Sequence, residues 1–324
     1  MQDTSESYEV PDISDIRKAH QRISPSIRQT PAINEKALDE LLQCQVWFKC
    51  EHLQRTGAFK FRGASNAIAL LRESGVRGDV ATHSSGNHGA ALALAARLDG
   101  RTAHVVMPEN ASPIKIEAVQ RYGGEIHFCE ATQSAREAGL AKLVTAGNIP
   151  IPPYDDNAII IGQGTAALEL LQQVSGLELV ITPVGGGGLI SGTALVASGL
   201  GVRTIGAEPA GAADTATSLK QGSRVDSWQP ETIADGLRAL VGVRNFGIIQ
   251  NHVEAVLTVT EDEIRNAMSL FWQYFRMLIE PSSAVVLAAV MKHPELFSGR
   301  NVGAIVSGAN IDPLDWAKLT SEST

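Results

Sequence analysis

Apolar residues alternate along the chain between short continuous runs and longer stretches with helical spacing. Short runs bounded by glycine, proline or polar residues predict β-strands at 46–51, 80–83, 103–107, 125–129, 177–184, 203–207 and 301–306. Apolar residues three or four positions apart predict helices at 12–23, 61–72, 90–98, 112–122, 131–145, 165–174, 190–198, 260–278 and 282–291. This alternation favours an α/β fold, with largely parallel sheets and helices on both faces.

Polar residues at several predicted helix ends support these boundaries. Asp12 stands where an N-cap is expected, and Thr260 with Glu263 has the spacing of a capping box. The segment 150–154 contains three prolines, which indicates a crossing between two lobes.

Three polar, glycine-rich loops follow the carboxyl ends of predicted strands. They are 84–89 (Ser-Ser-Gly-Asn-His-Gly), 185–188 (four glycines) and 307–310 (Ser-Gly-Ala-Asn). In parallel sheets, ligands bind at the carboxyl edge of the strands. We therefore expect these loops to lie near one binding site.

Composition and charge argue against several classes of function. The formal net charge of −8 disfavours a broad nucleic-acid surface, which needs a basic face. No apolar run approaches the roughly 20 residues that cross a bilayer, so no membrane partner is expected. The first eight residues are polar and acidic, without the apolar core of a signal peptide, and the three cysteines form no Cys-x-x-Cys pair. We expect a cytoplasmic protein without a cysteine zinc site.

A lysine between two phenylalanines is the first candidate for chemistry. Lys60 lies between Phe59 and Phe61, in the stretch 56–64. Burial lowers the pKa of a lysine, and the neutral amine is the nucleophile that forms Schiff bases. From these residues alone, a helix-start lysine whose stem passes core phenylalanines is the somewhat better explanation.

Four consecutive glycines at 185–188, after a predicted strand and before a helix, indicate an anion site. Glycine lets several backbone N–H groups turn toward one point, and the helix N-terminus adds its positive end. A tight turn needs only one or two glycines, so we interpret the loop as a phosphate cup. The pattern at 186–191, with Glu208 at the end of the next strand, is close to a dinucleotide fingerprint, but a dinucleotide site does not explain Lys60.

These motifs together resemble those of pyridoxal-phosphate enzymes of fold type II, the tryptophan synthase β-like fold. Within that fold, the chain is most similar to the serine racemase and serine/threonine dehydratase family. The resemblance covers about residues 12–312, with all motifs in the family's order. Shorter matches support it at 162–165, 233–236 and 258–264.

The resemblance implies a role for each cofactor-site residue. Lys60 would carry pyridoxal phosphate as a Schiff base and then move the α-proton of the substrate, and Phe59 would pack beside the pyridine ring. Asn87 would hydrogen-bond the phenolic oxygen, and Ser307 would face the ring nitrogen without enforcing its protonation. The phosphate would be held by Gly185, Gly186, Gly187, Gly188 and Leu189.

The resemblance also implies a substrate site. The substrate carboxylate would be bound by backbone and side-chain donors of Ser84, Ser85, Gly86, Asn87 and His88. Ser85 would lie on the cofactor face opposite the lysine and act as a second acid–base group, which racemisation requires. Related 3-hydroxyaspartate dehydratases share this serine, so it permits racemisation without proving it. Arg136 matches a position near the substrate entrance, where it would bind a distal carboxylate or remain an exposed helix arginine.

Glu208, Ala212 and Asp214 match the divalent-cation site of the family. Two carboxylates and a backbone carbonyl are oxygen ligands of the kind that Mg²⁺, Ca²⁺ or Mn²⁺ prefer. Without the resemblance, the two acids would be interpreted as solvated residues around a turn. The resemblance implies a structural role behind the glycine loop.

We therefore predict a two-domain enzyme, with a small domain at 79–154 inserted into a large domain made of 1–78 and 155–324, and a homodimer. The predicted reaction is pyridoxal-phosphate-dependent dehydration of a small β-hydroxy amino acid, of the L-serine or L-threonine type, to a 2-oxo acid and ammonia, with serine racemisation as an accompanying activity. A threo-3-hydroxyaspartate ammonia-lyase and a primary amino-acid racemase are alternatives within the family. Other classes are a non-enzymatic binding protein on this fold and a dinucleotide-dependent oxidoreductase.

Overall fold

The computed structural model describes residues 9–84 and 86–321, so the first eight residues, Ser85 and the last three lie outside the described residues. The helices are α1 (Ile13–Ile23), α2 (Lys36–Leu42), α3 (Lys60–Glu73), α4 (Asn87–Leu98), α5 (Pro113–Arg121), α6 (Gln133–Thr145), α7 (Asn157–Gln173), α8 (Gly188–Ser198), α9 (Asp214–Gln221), α10 (Val243–His252), α11 (Glu261–Phe275), α12 (Pro281–Lys292), α13 (Pro294–Phe297) and α14 (Pro313–Ser321). The strands are β1 (Ala32–Ile33), β2 (Gln45–Cys50), β3 (Val80–His83), β4 (Ala103–Pro108), β5 (Glu125–Cys129), β6 (Ile149–Pro150), β7 (Leu179–Pro183), β8 (Arg203–Pro209), β9 (Ala255–Val259) and β10 (Asn301–Val306).

Six strands form the larger sheet, in the order β1-β2-β10-β7-β8-β9. The β1–β2 pair is antiparallel, and the other pairs are parallel. β10 pairs with β2 along its whole length, from Asn301 opposite Gln45 to Val306 opposite Cys50, and with β7 on its other side. The carboxyl ends of these three strands therefore lie side by side, which brings together the segments that follow them.

Four parallel strands form the smaller sheet, in the order β5-β4-β3-β6. Its apolar core extends beyond these strands and their own helices. Phe61, Ala64 and Ile68 of α3 are buried in the same cluster as residues of α4 and β4. Helix α3 thus packs against α4 and shares the apolar core of the smaller sheet, although it follows a strand of the larger one. The boundaries at 79 and 154 stay a prediction.

The predicted alternation and the largely parallel sheets are confirmed, but the predicted start of the sixth helix at Thr165 is wrong. Helix α7 begins at Asn157, where the Asp156 side chain accepts hydrogen bonds from the first helical N–H groups. Gly162 therefore lies inside the helix. A Cβ at Gly162 would lie 2.6 Å from Gly63 Cα, so the glycine allows α7 and α3 to cross closely rather than marking a loop.

Two other helix boundaries differ from the prediction by three residues, and further ends shift by one or two. Helix α4 begins at Asn87, so the second half of the loop 84–89 forms its first turn. Helix α11 ends at Phe275, before the predicted end at 278, because Arg276 adopts a left-handed backbone conformation with φ 57°. Over the described residues, no helix combines the length and the apolar character that crossing a membrane requires.

Candidate active site

Lys60 is the first residue of α3, in the segment that follows the carboxyl end of β2. Gly57, three residues earlier, has a left-handed backbone with φ 72°, which a residue with a side chain would rarely adopt. The chain then returns to the sheet, where the Phe59 N–H donates to the Ser307 carbonyl oxygen at 3.0 Å. Two distant motifs of the sequence, at 58–64 and 307–310, are joined by this hydrogen bond.

The Lys60 amine lies in a site that favours its neutral form. Its Nζ donates to the Pro153 carbonyl oxygen at 2.8 Å and lies 5.1 Å from the centroid of the Phe59 ring. Burial lowers the pKa of Lys60 to about 8, against the opposing effect of the Glu280 carboxylate. Phe61 is fully buried in the core, whereas the Phe59 ring lies beside the amine.

A buried charge cluster fixes the start of α3. Arg62 is fully buried and donates to Glu51 at 2.7 Å and to Glu169 at 2.8 Å. Lys49 donates to Glu169 at 2.7 Å. Although burial opposes it, hydrogen bonds from His20 and Arg62 lower the pKa of Glu169. Because removing one partner would leave charges unpaired in the interior, the cluster holds the backbone before and after Lys60 in one position.

The loop 84–89 is organised by its own first serine. Ser84 Oγ accepts hydrogen bonds from the N–H groups of Gly86 at 3.1 Å and Gly89 at 3.0 Å, and the residue is buried. Its hydroxyl oxygen is thus engaged within the loop. Ser85, predicted as the second acid–base group, lies outside the described residues, and its role stays a prediction.

His88 is buried beneath the same loop. Its Nε2 donates to the Ile151 carbonyl oxygen at 3.2 Å, which makes Nδ1 an acceptor in the neutral ring. Burial and the positive charge of Lys60 lower the pKa of His88 to about 3, so the ring stays neutral. A contribution of His88 to carboxylate binding would therefore come from its backbone N–H.

Asn87 belongs to a polar network that the sequence did not reveal. Its Nδ2 donates to Glu280 Oε1 at 2.9 Å, and its Oδ1 accepts from Asn310 Nδ2 at 2.9 Å. The Asn310 N–H donates to Glu280 Oε2 at 3.0 Å, which closes the network. Burial raises the pKa of Glu280. The sequence signal that could have indicated Glu280 is its position directly before Pro281, at the start of an otherwise apolar helix.

Ser307 follows the carboxyl end of β10 and is buried. Its Oγ lies 3.0 Å from Ser283 Oγ, a second residue that sequence reasoning missed. The Ser283 hydroxyl donates to the Gly308 carbonyl oxygen and accepts from the Gly308 N–H, both at 2.7 Å. Ser307 is thus a positioned neutral hydroxyl.

The loop 185–188 joins the carboxyl end of β7 to the start of α8. Gly187 has a left-handed backbone with φ 94°, and a Cβ at Gly186 would lie 2.4 Å from the Tyr154 ring. Close packing and backbone conformation therefore both require glycine. Among the described residues, no acceptor contacts the N–H groups of the four glycines. The Leu189 side chain is buried in the core, so only the backbone of this residue could contact a ligand.

Arg136 lies half-buried on α6 and donates to the Thr132 carbonyl oxygen over a long 3.4 Å. Burial and the positive charge of Arg136 lower the pKa of His83, the residue directly before the loop 84–89. The guanidinium is therefore near this loop. Among the described residues, Arg136 forms no ion pair that would neutralise it.

Glu208 and Asp214 are buried carboxylates with one oxygen each bonded to the backbone. Glu208 Oε1 accepts from the Ala216 N–H at 2.7 Å, and Asp214 Oδ2 accepts from the Val241 N–H at 2.8 Å. Burial raises the pKa of Glu208 to about 8 and that of Asp214 to about 6. Within the described part of the chain, the buried Glu208 Oε2 has no partner, so the donor set fits a cation.

The fold and the site define a class of enzyme. Three neighbouring parallel strands carry the site at their carboxyl ends. The groups there are a lysine amine of lowered pKa, a neutral serine and a glycine-rich helix N-terminus. These residues suit a phosphorylated carbonyl cofactor that a lysine holds covalently.

Comparison with known proteins identifies the family. A family model described as "Pyridoxal-phosphate dependent enzyme" matches residues 23–308, and the chain belongs to this family. It is a fold type II enzyme of the serine racemase and serine/threonine dehydratase group. The chain is similar to a β-hydroxyaspartate dehydratase of Paracoccus denitrificans, 45% identical over 95% of this chain and 99% of that protein. It is also similar to a serine racemase of Dictyostelium discoideum, 44% identical over 95% and 97% of the two chains. The maize serine racemase structure has a TM-score of 0.91 and 39% identity, over 97% of this chain and 98% of that one.

Proposed function

We propose that the chain dehydrates a small β-hydroxy amino acid to a 2-oxo acid and ammonia with pyridoxal phosphate, with serine racemisation as an accompanying activity. The observation that carries the proposal is the Lys60 amine, whose pKa is lowered to about 8 beside the Phe59 ring. The relatives of this chain include enzymes named for both chemistries.

Each group of the site has a separate role in the proposed reaction. When bound, pyridoxal phosphate supplies an electron sink that acidifies the α-carbon of the attached amino acid. Lys60 in its neutral form accepts the α-proton and holds it for the departing β-hydroxyl. Backbone donors of the loop 84–89 orient the substrate carboxylate. Ser307 offers a neutral hydroxyl instead of a carboxylate, which suits prompt elimination, and the released enamine hydrolyses in water.

A second candidate substrate is threo-3-hydroxyaspartate. It carries a second carboxylate, and Arg136 near the loop 84–89 is a half-buried cation suited to bind one. Lys115, another cation close to this loop, is already paired with Asp235. The relative from Paracoccus denitrificans is a β-hydroxyaspartate dehydratase, which supports this candidate.

The carboxylates of Glu208 and Asp214, with the carbonyl of Ala212, would bind Mg²⁺, Ca²⁺ or Mn²⁺ as a structural ion behind the glycine loop. The unpartnered Glu208 Oε2 and the raised pKa values of both acids support this, because a cation would offset the cost of burying two charges. The family resemblance supports a homodimer, and the scattered cysteines without a Cys-x-x-Cys pair suit a cytoplasmic location.

The function is tested on the purified protein by its visible spectrum and by 2-oxo acid formation from L-serine, L-threonine and threo-3-hydroxyaspartate. Chiral chromatography of residual serine detects racemisation. We expect a yellow protein that loses activity in the Lys60→Ala variant. A colourless protein that gains no absorbance with added pyridoxal phosphate would contradict the proposal.

The role of Arg136 is tested by the Arg136→Met variant. We expect a higher KM for threo-3-hydroxyaspartate with little change for L-serine, because only the former has a distal carboxylate. Lys142→Met, an exposed residue on the same helix, is the matched control. Equal effects of Arg136→Met on both substrates would contradict the assignment.

A further inference from the structure

Two histidines and a glutamate form a cluster on the smaller sheet that the proposed function does not use. His104 of β4 is opposite Glu125 of β5, and Val106 is opposite His127. Because side chains alternate between the faces of a strand, the two histidines and the glutamate project from one face. β5 is the outer strand of this sheet.

The donor atoms of the cluster have the separations of metal ligands. His104 Nδ1 lies 3.1 Å from His127 Nε2 and 3.3 Å from Glu125 Oε2. One donor atom from each residue lies within 4.8 Å of the other two. Zinc bonds of about 2.0–2.1 Å at a tetrahedral angle place neighbouring ligand atoms about 3.3 Å apart.

Hydrogen bonds alone do not satisfy the three donor atoms of this cluster. His104 Nδ1 faces both a carboxylate oxygen and a ring nitrogen. If His104 Nδ1 carries a hydrogen, that hydrogen is shared between the Glu125 oxygen and the His127 nitrogen. If Nδ1 carries none, its lone pair faces the carboxylate oxygen, which is repulsive. A bound cation would accept a lone pair from each of the three donor atoms at once.

The ligand types indicate which cation fits. Imidazole nitrogen suits zinc and similar transition metals, whereas magnesium and calcium prefer oxygen ligands. The Glu125 side chain is 62% exposed, so water has access to a fourth coordination position. We propose that His104, His127 and Glu125 bind one Zn²⁺ ion, with water as the fourth ligand, at a site separate from the site at Lys60.

An ion at this position would connect β5 to β4 through side chains, in addition to the backbone ladder. Binding to the folded chain alone raises its stability in proportion to the logarithm of the metal concentration over Kd. The melting temperature is therefore expected to rise with added Zn²⁺, independently of catalytic turnover.

The test uses the purified, full-length, cofactor-loaded protein after removal of metals. Zn²⁺ is titrated in competition with a chromophoric chelator, and Co²⁺ serves as a spectroscopic probe of coordination number. The test variants are His104→Gln and His127→Gln. His293→Gln is the matched control, because His293 lies 3.0 Å from the Glu295 carboxylate and belongs to no three-residue cluster in the described chain. Cys129→Ser is a second control, because it removes a thiol two positions beyond His127 that is not among the proposed ligands.

We expect one Zn²⁺ per wild-type chain and strong visible Co²⁺ bands of four-coordinate geometry. Each test variant should weaken Zn²⁺ binding at least tenfold and abolish the Zn²⁺-dependent rise in melting temperature. His293→Gln and Cys129→Ser should bind like the wild type. Wild-type affinity in the His104→Gln or His127→Gln variant overturns the proposal, as does a wild-type protein that takes no Zn²⁺ from the chelator. Because none of these readouts needs turnover, failure of the proposed dehydratase function would be recognised separately.

Discussion

Attachment of pyridoxal phosphate to the cofactor-free protein is expected to follow the titration of Lys60. The ordinary pKa of a lysine is 10.5, and burial lowers that of Lys60 to about 8. Only the neutral amine attacks a carbonyl group. The rate of attachment should therefore rise with pH up to about 8 and level off above it.

The size of the effect follows from the two pKa values. At pH 7.5, about one quarter of the Lys60 amine would be neutral, against about one part in a thousand for an exposed lysine, a gain of roughly 200-fold. The pKa change corresponds to roughly 3 kcal/mol of destabilisation of the charged form.

The assay removes the cofactor and then mixes the protein with pyridoxal phosphate in a stopped-flow instrument, from about pH 6 to about pH 10. The visible absorbance of the attached cofactor reports the rate. A small amide of Nα-acetyl-lysine, measured in the same buffers, corrects for the titration of pyridoxal phosphate itself. Lys60→Ala shows how much signal arises from other amines.

The environment of the lysine can be varied in the same assay. Because the Glu280 carboxylate opposes the lowering of the Lys60 pKa, Glu280→Gln should move the midpoint to lower pH. A corrected rate that continues to rise to about pH 10 in the wild type would refute the reasoning, since the lysine would then titrate as an exposed one.

Three further predictions concern the scaffold and the cation. Arg62→Met should lower the free energy of unfolding by about 3–5 kcal/mol, because it leaves buried carboxylates unpaired. Arg203→Gln, at an exposed ion pair, should change that free energy by less than about 1 kcal/mol, and urea titration measures both variants. Gly162→Ala should destabilise the fold by roughly 1–3 kcal/mol, because its Cβ would meet backbone, whereas Gly247→Ala, which meets no atom within 4 Å, should stabilise α10 slightly. Chelation by EDTA should lower the melting temperature of the wild type, and Glu208→Gln should remove the response to added Mg²⁺, Ca²⁺ or Mn²⁺.

Specific outcomes would contradict each of these. Equal stability losses in the two arginine variants would mean that the buried cluster contributes no more than a surface pair. A folded Gly162→Ala protein of unchanged stability would contradict the close helix crossing. A melting temperature indifferent to EDTA in the wild type would argue against the structural cation.

The sequence by itself determined the alternation of strands and helices, the parallel sheets and the positions of the lysine segment and the glycine-rich loops. These follow from local patterns: apolar runs of strand length, helical spacing and glycine-rich loops at strand ends. The capping box of Thr260 and Glu263 is one such local signal, and the structure contains it.

Only the tertiary structure decided which distant residues complete the site. Helix α12 packs against the strands of the larger sheet, and its first turn therefore lies near the loops. Glu280 contacts Asn87 and Ser283 contacts Ser307 for this reason, and no sequence periodicity predicts either contact. The start of α7 was missed for a related reason, since Gly162 breaks a helix in isolation but is required where another helix crosses it.

The histidine and glutamate cluster also depends on tertiary structure and not on local sequence. His104 and His127 are far apart in the chain, and each alone is an ordinary strand histidine. Their convergence depends on the register of β4 against β5, where a shift of one residue would place the histidines on opposite faces. Local sequence specifies the strands, whereas strand order and register, set by packing of the whole chain, specify which side chains meet.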